Sequence, residues 1–132
     1  MTDDELLEGF TSARMTPFRH RDHVRMTWIY LRRLGLDGAL AAVSEGLRHF
    51  CIAHAHPEKY HETVTRLYVY VIHERVSAPG AAQDWESFAA ANPDLFENWG
   101  EFVARYYSQE LLDSQLARET FVPPDRLPLS HV

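Results

Sequence analysis

His20 and His23 lie three apart at the start of an amphipathic stretch, PFRHRDHVRMTWIYLRRLG (17–35), in a chain of 132 residues that holds eight histidines. Residues three apart on a helix have Cβ atoms about 5 to 6 Å apart, close enough to share one ion. Neutral imidazole is the commonest protein ligand for transition metals, and three imidazoles leave a coordination position open for water. His61 is the natural third ligand, with His54 or Glu62 as a fourth. A divalent transition metal held this way (Zn, Fe, Cu, Ni or Mn) lowers the pKa of its water, polarises a carbonyl or binds dioxygen. Glu62 is the candidate general base, and Thr65, one turn beyond His61, the candidate for a hydrogen bond to substrate or to a ligand.

These residues meet only if the elements bring them together. Thr2 followed by Asp3, Asp4 and Glu5 predicts a short capped helix over 3–10. Thr16 and Pro17 repeat the signal, and Gly35 supplies a stop, so a second helix is expected over 17–34. Its apolar stripe is Val24, Trp28, Leu31 and Leu34, with His20 inside the stripe and His23 at its edge. Asp37 is the expected cap of a third helix, reaching about His54 and carrying Leu40, Val43, Leu47, Phe50 and Cys51 on one face. Pro57 starts a fourth through about Val76, buried along Tyr60, Val64, Leu67, Tyr68 and Val71. Short connections make neighbours antiparallel. The start of the second helix, the end of the third and the start of the fourth then share one end of the bundle, and His20, His23, His54 and His61 converge there.

The rest of the chain reads as flanking structure. SAPGAAQ (77–83) is a loop, Asp84 caps a short helix through Ala90, and Asn92-Pro93 starts one reaching about Tyr107. Ser108 caps a helix holding Leu111, Leu112 and Leu116. The end, with Pro123, Pro124 and Pro128, is expected to run extended over the surface. The expected fold is all-α: a single domain over 1–132, an antiparallel helical bundle with short flanking helices and an extended C-terminal tail.

Composition bounds the function. With 45% hydrophobic and 24% charged residues the chain can bury a core, and its net charge of −6 argues against nucleic acid as a partner. Arg14, Arg19, Arg21, Arg25, Arg32 and Arg33 form one basic segment, suited to a solvated helix face or to a small anion. Cys51 is the single cysteine, which excludes an intrachain disulfide and fits a reducing cytoplasm. The acidic start is unlike a signal peptide, and no apolar run approaches the roughly 18 residues of a membrane span.

Other motifs fail on their own terms. Glu58-Lys59-Tyr60-His61 matches the Glu-x-x-His of di-iron bundles, but no second copy exists. His61-Glu62 lacks the second histidine of a zinc protease. Ser108 and Ser114 have no triad partners, and Cys51 beside Phe50 reads as core. Tyr60 and Tyr68 are the aromatic residues whose hydroxyls suit a pocket. The histidines themselves have two rival readings: hydrogen-bonded interior residues, or, with Arg19, a holder of a small anion at helix N-termini, where the dipole favours negative charge.

FRHRDHVRMTWIYLRRLG, PEKYHETVTRLYV and YYSQELLDSQLARETFVPPDRLPL together resemble a group of small bacterial all-helical proteins of unassigned function. The shared pattern is Phe-x-His-x-x-His, Tyr-His-x-Thr-x-Thr and a Tyr-Ser…Ala-Arg…Pro-Asp ending. The resemblance covers most of 17–129 and implies that His20, His23, His61, Thr63 and Thr65 are the signature positions here. It supplies no reaction. The expectation is therefore a small cytoplasmic metal-dependent enzyme, hydrolytic or oxidative, acting on a small polar metabolite. Its alternative is a binding module that holds an anionic ligand without chemistry, and exposed apolar residues in the tail allow a homodimer.

Overall fold

The chain doubles back at Gly35. A computed structural model describes residues 1–130; the last two positions of the expected tail, 131 and 132, lie outside the described residues. Helix α2 (His20–Ala53) is helical on both sides of Gly35, which itself has φ 77° and ψ −176°, a combination essentially restricted to glycine. A straight helix rising 1.5 Å per residue would carry Cys51 about 45 Å from His20. Instead both residues line one cavity, and the rings of Phe18 and Phe50 lie 5.1 Å apart. α2 is thus a helical hairpin with Gly35 at its corner, which is the antiparallel step expected of the second and third helices.

Its start lies three residues later than Pro17. The Asp22 carboxylate accepts the Arg19 amide at 3.0 Å, and the backbone becomes helical at His20. Leu34, expected in the buried stripe, is exposed beside the corner, while Met26, Thr27 and Ile29 join Val24, Trp28 and Leu31 inside.

Helix α3 (Glu62–Ser77) packs along the hairpin. It begins later than expected because Pro57–Lys59 closes a separate 3-10 turn, leaving His61 as the cap residue. Glu62, Thr63, Thr65, Leu67, Tyr68, Val69, Val71 and Ile72 are all buried. Burial on nearly every face marks a central helix, and it explains why the pattern of α3 reads as an ambiguous mixture of strand and helix.

Helix α1 (Asp3–Thr11) carries the expected Thr2 cap, closed into a capping box by Glu5: Glu5 N–H donates to Thr2 Oγ1 at 3.1 Å and Thr2 N–H to Glu5 Oε1 at 2.9 Å. Leu6 and Phe10 are fully buried against α2. Its acids answer part of the basic segment: Arg25 bonds Asp3 at 2.9 Å and Arg33 bonds Asp4 at 2.8 Å. Arg21 lies over Trp85 and Phe96, and Arg32 over Trp28.

The remaining helices are short: α4 (Trp85–Ala91), α5 (Trp99–Ala104), α6 (Gln109–Leu112) and α7 (Gln115–Glu119), with a 3-10 turn at Pro93–Phe96. The helix expected from Pro93 to Tyr107 is broken because Asn98 starts afresh, accepting the amides of Gly100 and Glu101. Ser108 caps α6 as expected, but Ser114 interrupts it and caps α7, leaving Leu116 exposed. The extended tail is clamped: Thr63 Oγ1 donates to Thr120 O and accepts the Val122 amide, Tyr107 donates to Val122 O, and Asp125 accepts both the amide and hydroxyl of Ser108. Among the described residues there is no strand, and no helix is long and apolar enough to cross a membrane. Buried side chains from Leu6 to Leu129 form one core cluster.

Candidate functional site

A cavity of about 600 Å³ lies where the ends of the α2 hairpin meet α3 and the short helices α5, α6 and α7, within the usual range for small-molecule sites of about 300 to 1,000 Å³. One limb of α2 contributes His20 and His23, the other Leu47 and Cys51. The connection and α3 contribute Tyr60, His61, Val64, Thr65 and Tyr68. Three of the four singled-out histidines therefore reach one place, as the hairpin topology requires.

Their hydrogen bonds distinguish them. His20 Nε2 lies 2.7 Å from the carbonyl of Leu95. A carbonyl only accepts, so Nε2 carries a proton, and in the neutral form of the ring Nδ1 holds the lone pair. His61 uses both nitrogens: Nε2–H donates to Leu112 O at 2.8 Å, and Nδ1 accepts the Val64 amide at 3.2 Å, capping α3. His61 can bind a metal only by giving up one of these bonds. His23 is the opposite case, with Nε2 buried and without a hydrogen-bond partner among the described residues. Burial, with a smaller contribution from nearby His20, lowers its pKa to about 4, so the ring is neutral at pH 7. The two rings stand 6.2 Å apart, and both pack against Tyr68, at 5.2 and 5.8 Å.

His54 goes elsewhere. It packs toward α1, stacked on Phe50 at 4.3 Å, and its Nε2–H donates to Ala13 O at 2.8 Å. His54 shares a helix face with Phe50, four residues earlier, and that face packs toward Phe10 of α1 instead of the cavity. Among the described residues no three of His, Cys, Asp and Glu are grouped so as to hold one ion.

Glu62 is buried with its charge already matched. It accepts from Arg66 Nε at 2.7 Å, from Arg48 at 3.3 Å and from the Tyr60 hydroxyl. Burial and that hydrogen bond push the Tyr60 pKa up to about 12. Glu62 is not in the cavity lining, whereas Thr65, 5% exposed, is. Arg19, the expected anion holder, is exposed outside the lining; Lys59 and Arg118 are the cationic side chains of the lining.

No protein-family model, curated protein or solved structure matches the chain. The site must therefore be read from its own chemistry.

Tyr68 carries the most informative feature beside His23. It is 2% exposed, its ring is stacked on Phe102 at 5.2 Å, and its hydroxyl is buried with no hydrogen-bond partner among the described residues. Burial raises its pKa, so the hydroxyl stays protonated. Cys51 is likewise pushed up by burial and stays a thiol. Sequence reading passed over Lys59, Trp99 and Arg118. Arg118 had a signal, its place in the Ala-Arg pattern, and here it donates to the backbone carbonyl of Glu58, tying α7 to the connection before α3.

Proposed function

We propose that the chain is a small-molecule-binding protein whose ligand occupies the cavity lined by His20, His23, Thr65 and Tyr68. The observation that carries this reading is the pair of orphaned polar atoms, His23 Nε2 and Tyr68 OH, on two residues that line the same cavity. Each such atom costs free energy in the folded protein unless a partner is supplied. The two atoms are themselves enclosed, and the cavity beside both residues is the space from which a partner can come. Mapping amide NMR shifts during titration with phenol and with acetate tests the reading. Shifts gathered on Thr65, Tyr68 and Val103, and lost in a cavity-filling Leu47→Trp variant, are expected. Shifts scattered over the surface would sink it.

A second reading, a metal-dependent enzyme, is favoured by the His20 geometry. A metal-binding histidine usually donates its other N–H to a carbonyl or carboxylate, as His20 does to Leu95. His20 Nδ1 and His23 Nε2 would then be the protein ligands of a divalent transition metal, with Thr65 beside them. Metal analysis of untagged protein tests it. Near one ion per chain, lost in His20→Ala and in His23→Ala, would favour this reading over the first; no uptake on titration with zinc or iron would remove it.

A further inference from the structure

We infer that the ligand of this cavity is a small amphipathic acid, with an uncharged hydroxyl or carbonyl at one end, an apolar body and a carboxylate at the other. This rests on the binding reading above and adds a ligand class and an orientation to it.

The uncharged end is fixed by what surrounds the orphaned atoms. Tyr68 offers an O–H that both donates and accepts, and His23 offers one ring nitrogen. Around them are the His20 ring and the face of Phe102. Both atoms are enclosed and neither has a cationic side chain within hydrogen-bond reach, so a carboxylate placed against them would lose its hydration without gaining an ion pair. A hydroxyl or carbonyl loses little and satisfies both.

The charged end is fixed by the exposed part of the lining. Lys59 and Arg118 are exposed there, together with the acids Glu58 and Asp113. The acids are engaged: Glu58 Oε1 lies 3.2 Å from His56 Nδ1, and Asp113 Oδ1 accepts from Gln109 at 2.8 Å. Arg118 spends a donor on the Glu58 backbone carbonyl and keeps others, and Lys59, whose charge acts on neighbouring Glu58, makes no side-chain hydrogen bond to another described residue. An incoming carboxylate therefore meets Arg118 and Lys59 donors that no side-chain acceptor has taken up, beside acids that already hold a hydrogen bond. Between the two ends the wall is Leu47, Val64, Val103 and Leu112, which suits an aromatic or aliphatic body.

Calorimetric titration with phloretate, hydrocinnamate and para-ethylphenol tests the class, since the second lacks the hydroxyl and the third the carboxylate. In the wild type, phloretate should bind tightest, each deletion weakening binding about tenfold, the size of one hydrogen bond or exposed charge contact. Tyr68→Phe should erase the preference for the hydroxyl and keep that for the carboxylate. The Lys59→Ala, Arg118→Ala double variant should do the reverse. Preferences that survive in these variants would overturn the orientation. Equal binding of all three probes, abolished by Leu47→Trp, would overturn the ligand class and leave the cavity reading standing. No binding by any of them overturns the class, with the cavity reading then decided by its own shift mapping.

Discussion

The imidazole of His61 bonds the carbonyl of Leu112 at 2.8 Å while its other nitrogen accepts the Val64 amide, so one side chain both starts α3 and ties it to α6. His61→Ala removes a helix cap and a long-range hydrogen bond, and should cost about 2 kcal/mol in urea unfolding. His61→Asn restores the cap alone and should recover about half of that. An alanine variant of unchanged stability that instead lost a bound metal would make His61 a ligand.

His23 predicts a pH dependence. Its folded pKa of about 4 lies below the unfolded value near 6.5. Between these values the unfolded chain holds more protons, so acidification destabilises the fold and raising the pH stabilises it. The stability difference between wild type and His23→Gln should be level above about pH 6.5 and move against the wild type from there down to about pH 4. A difference that stays flat across this window would show that the ring is not desolvated.

Two glycines of α2 should fail for different reasons. Gly35→Ala meets no neighbour, but it forces a Cβ onto a backbone at φ 77°, and should cost about 1 to 3 kcal/mol. Gly46→Ala keeps good helical geometry, yet its Cβ would lie 2.3 Å from the Phe10 ring. That overpacking should cost about 1 to 3 kcal/mol. Pairing each change with Phe10→Leu separates them by thermal unfolding: the smaller side chain should relieve Gly46→Ala and leave Gly35→Ala unrelieved.

Glu62 should behave as a structural carboxylate. Its side chain is 8% exposed between Arg48 and Arg66, and it accepts from Tyr60. Glu62→Ala leaves two cations and a hydroxyl unmatched, and should cost about 3 kcal/mol, at the lower end for buried pairs because both arginines reach solvent. In Glu62→Gln, ultraviolet titration should find Tyr60 below its present value of about 12, since one cause of that rise is removed. A Glu62→Gln protein with an unmoved Tyr60 would contradict the hydrogen bond.

How far the sequence carried depended on whether a signal was local. The caps at Thr2, Asp84 and Ser108 and the break at Gly35 were legible because each acts on its own few residues. The antiparallel hairpin followed from Gly35, and with it the meeting of His20, His23 and His61 at one cavity. His54 was misplaced because its face of the helix, shared with Phe50, packs toward Phe10 of α1 and Ala13, and which partner covers a helix face is set by the tertiary fold. The engagement of His61 and Glu62 was not legible, since Leu112 and Arg48 reach them only through the tertiary fold. Arg118 escaped for the same reason, its partner Glu58 lying sixty positions earlier in the chain.

Tyr68 offers a test in which structural and functional roles predict opposite signs. Its hydroxyl is buried without a partner among the described residues, while its ring packs on Phe102, His20 and His23. A buried unpaired hydroxyl costs about 1 to 3 kcal/mol. Tyr68→Phe keeps the ring and removes the cost, so the variant should be more stable by about 1 kcal/mol or more in urea unfolding. Ligand binding should weaken in the same variant. A residue whose removal stabilises the fold while lowering affinity is one retained for binding. If Tyr68→Phe is instead less stable, the hydroxyl has a partner in the free protein, and the demand for one from a ligand disappears.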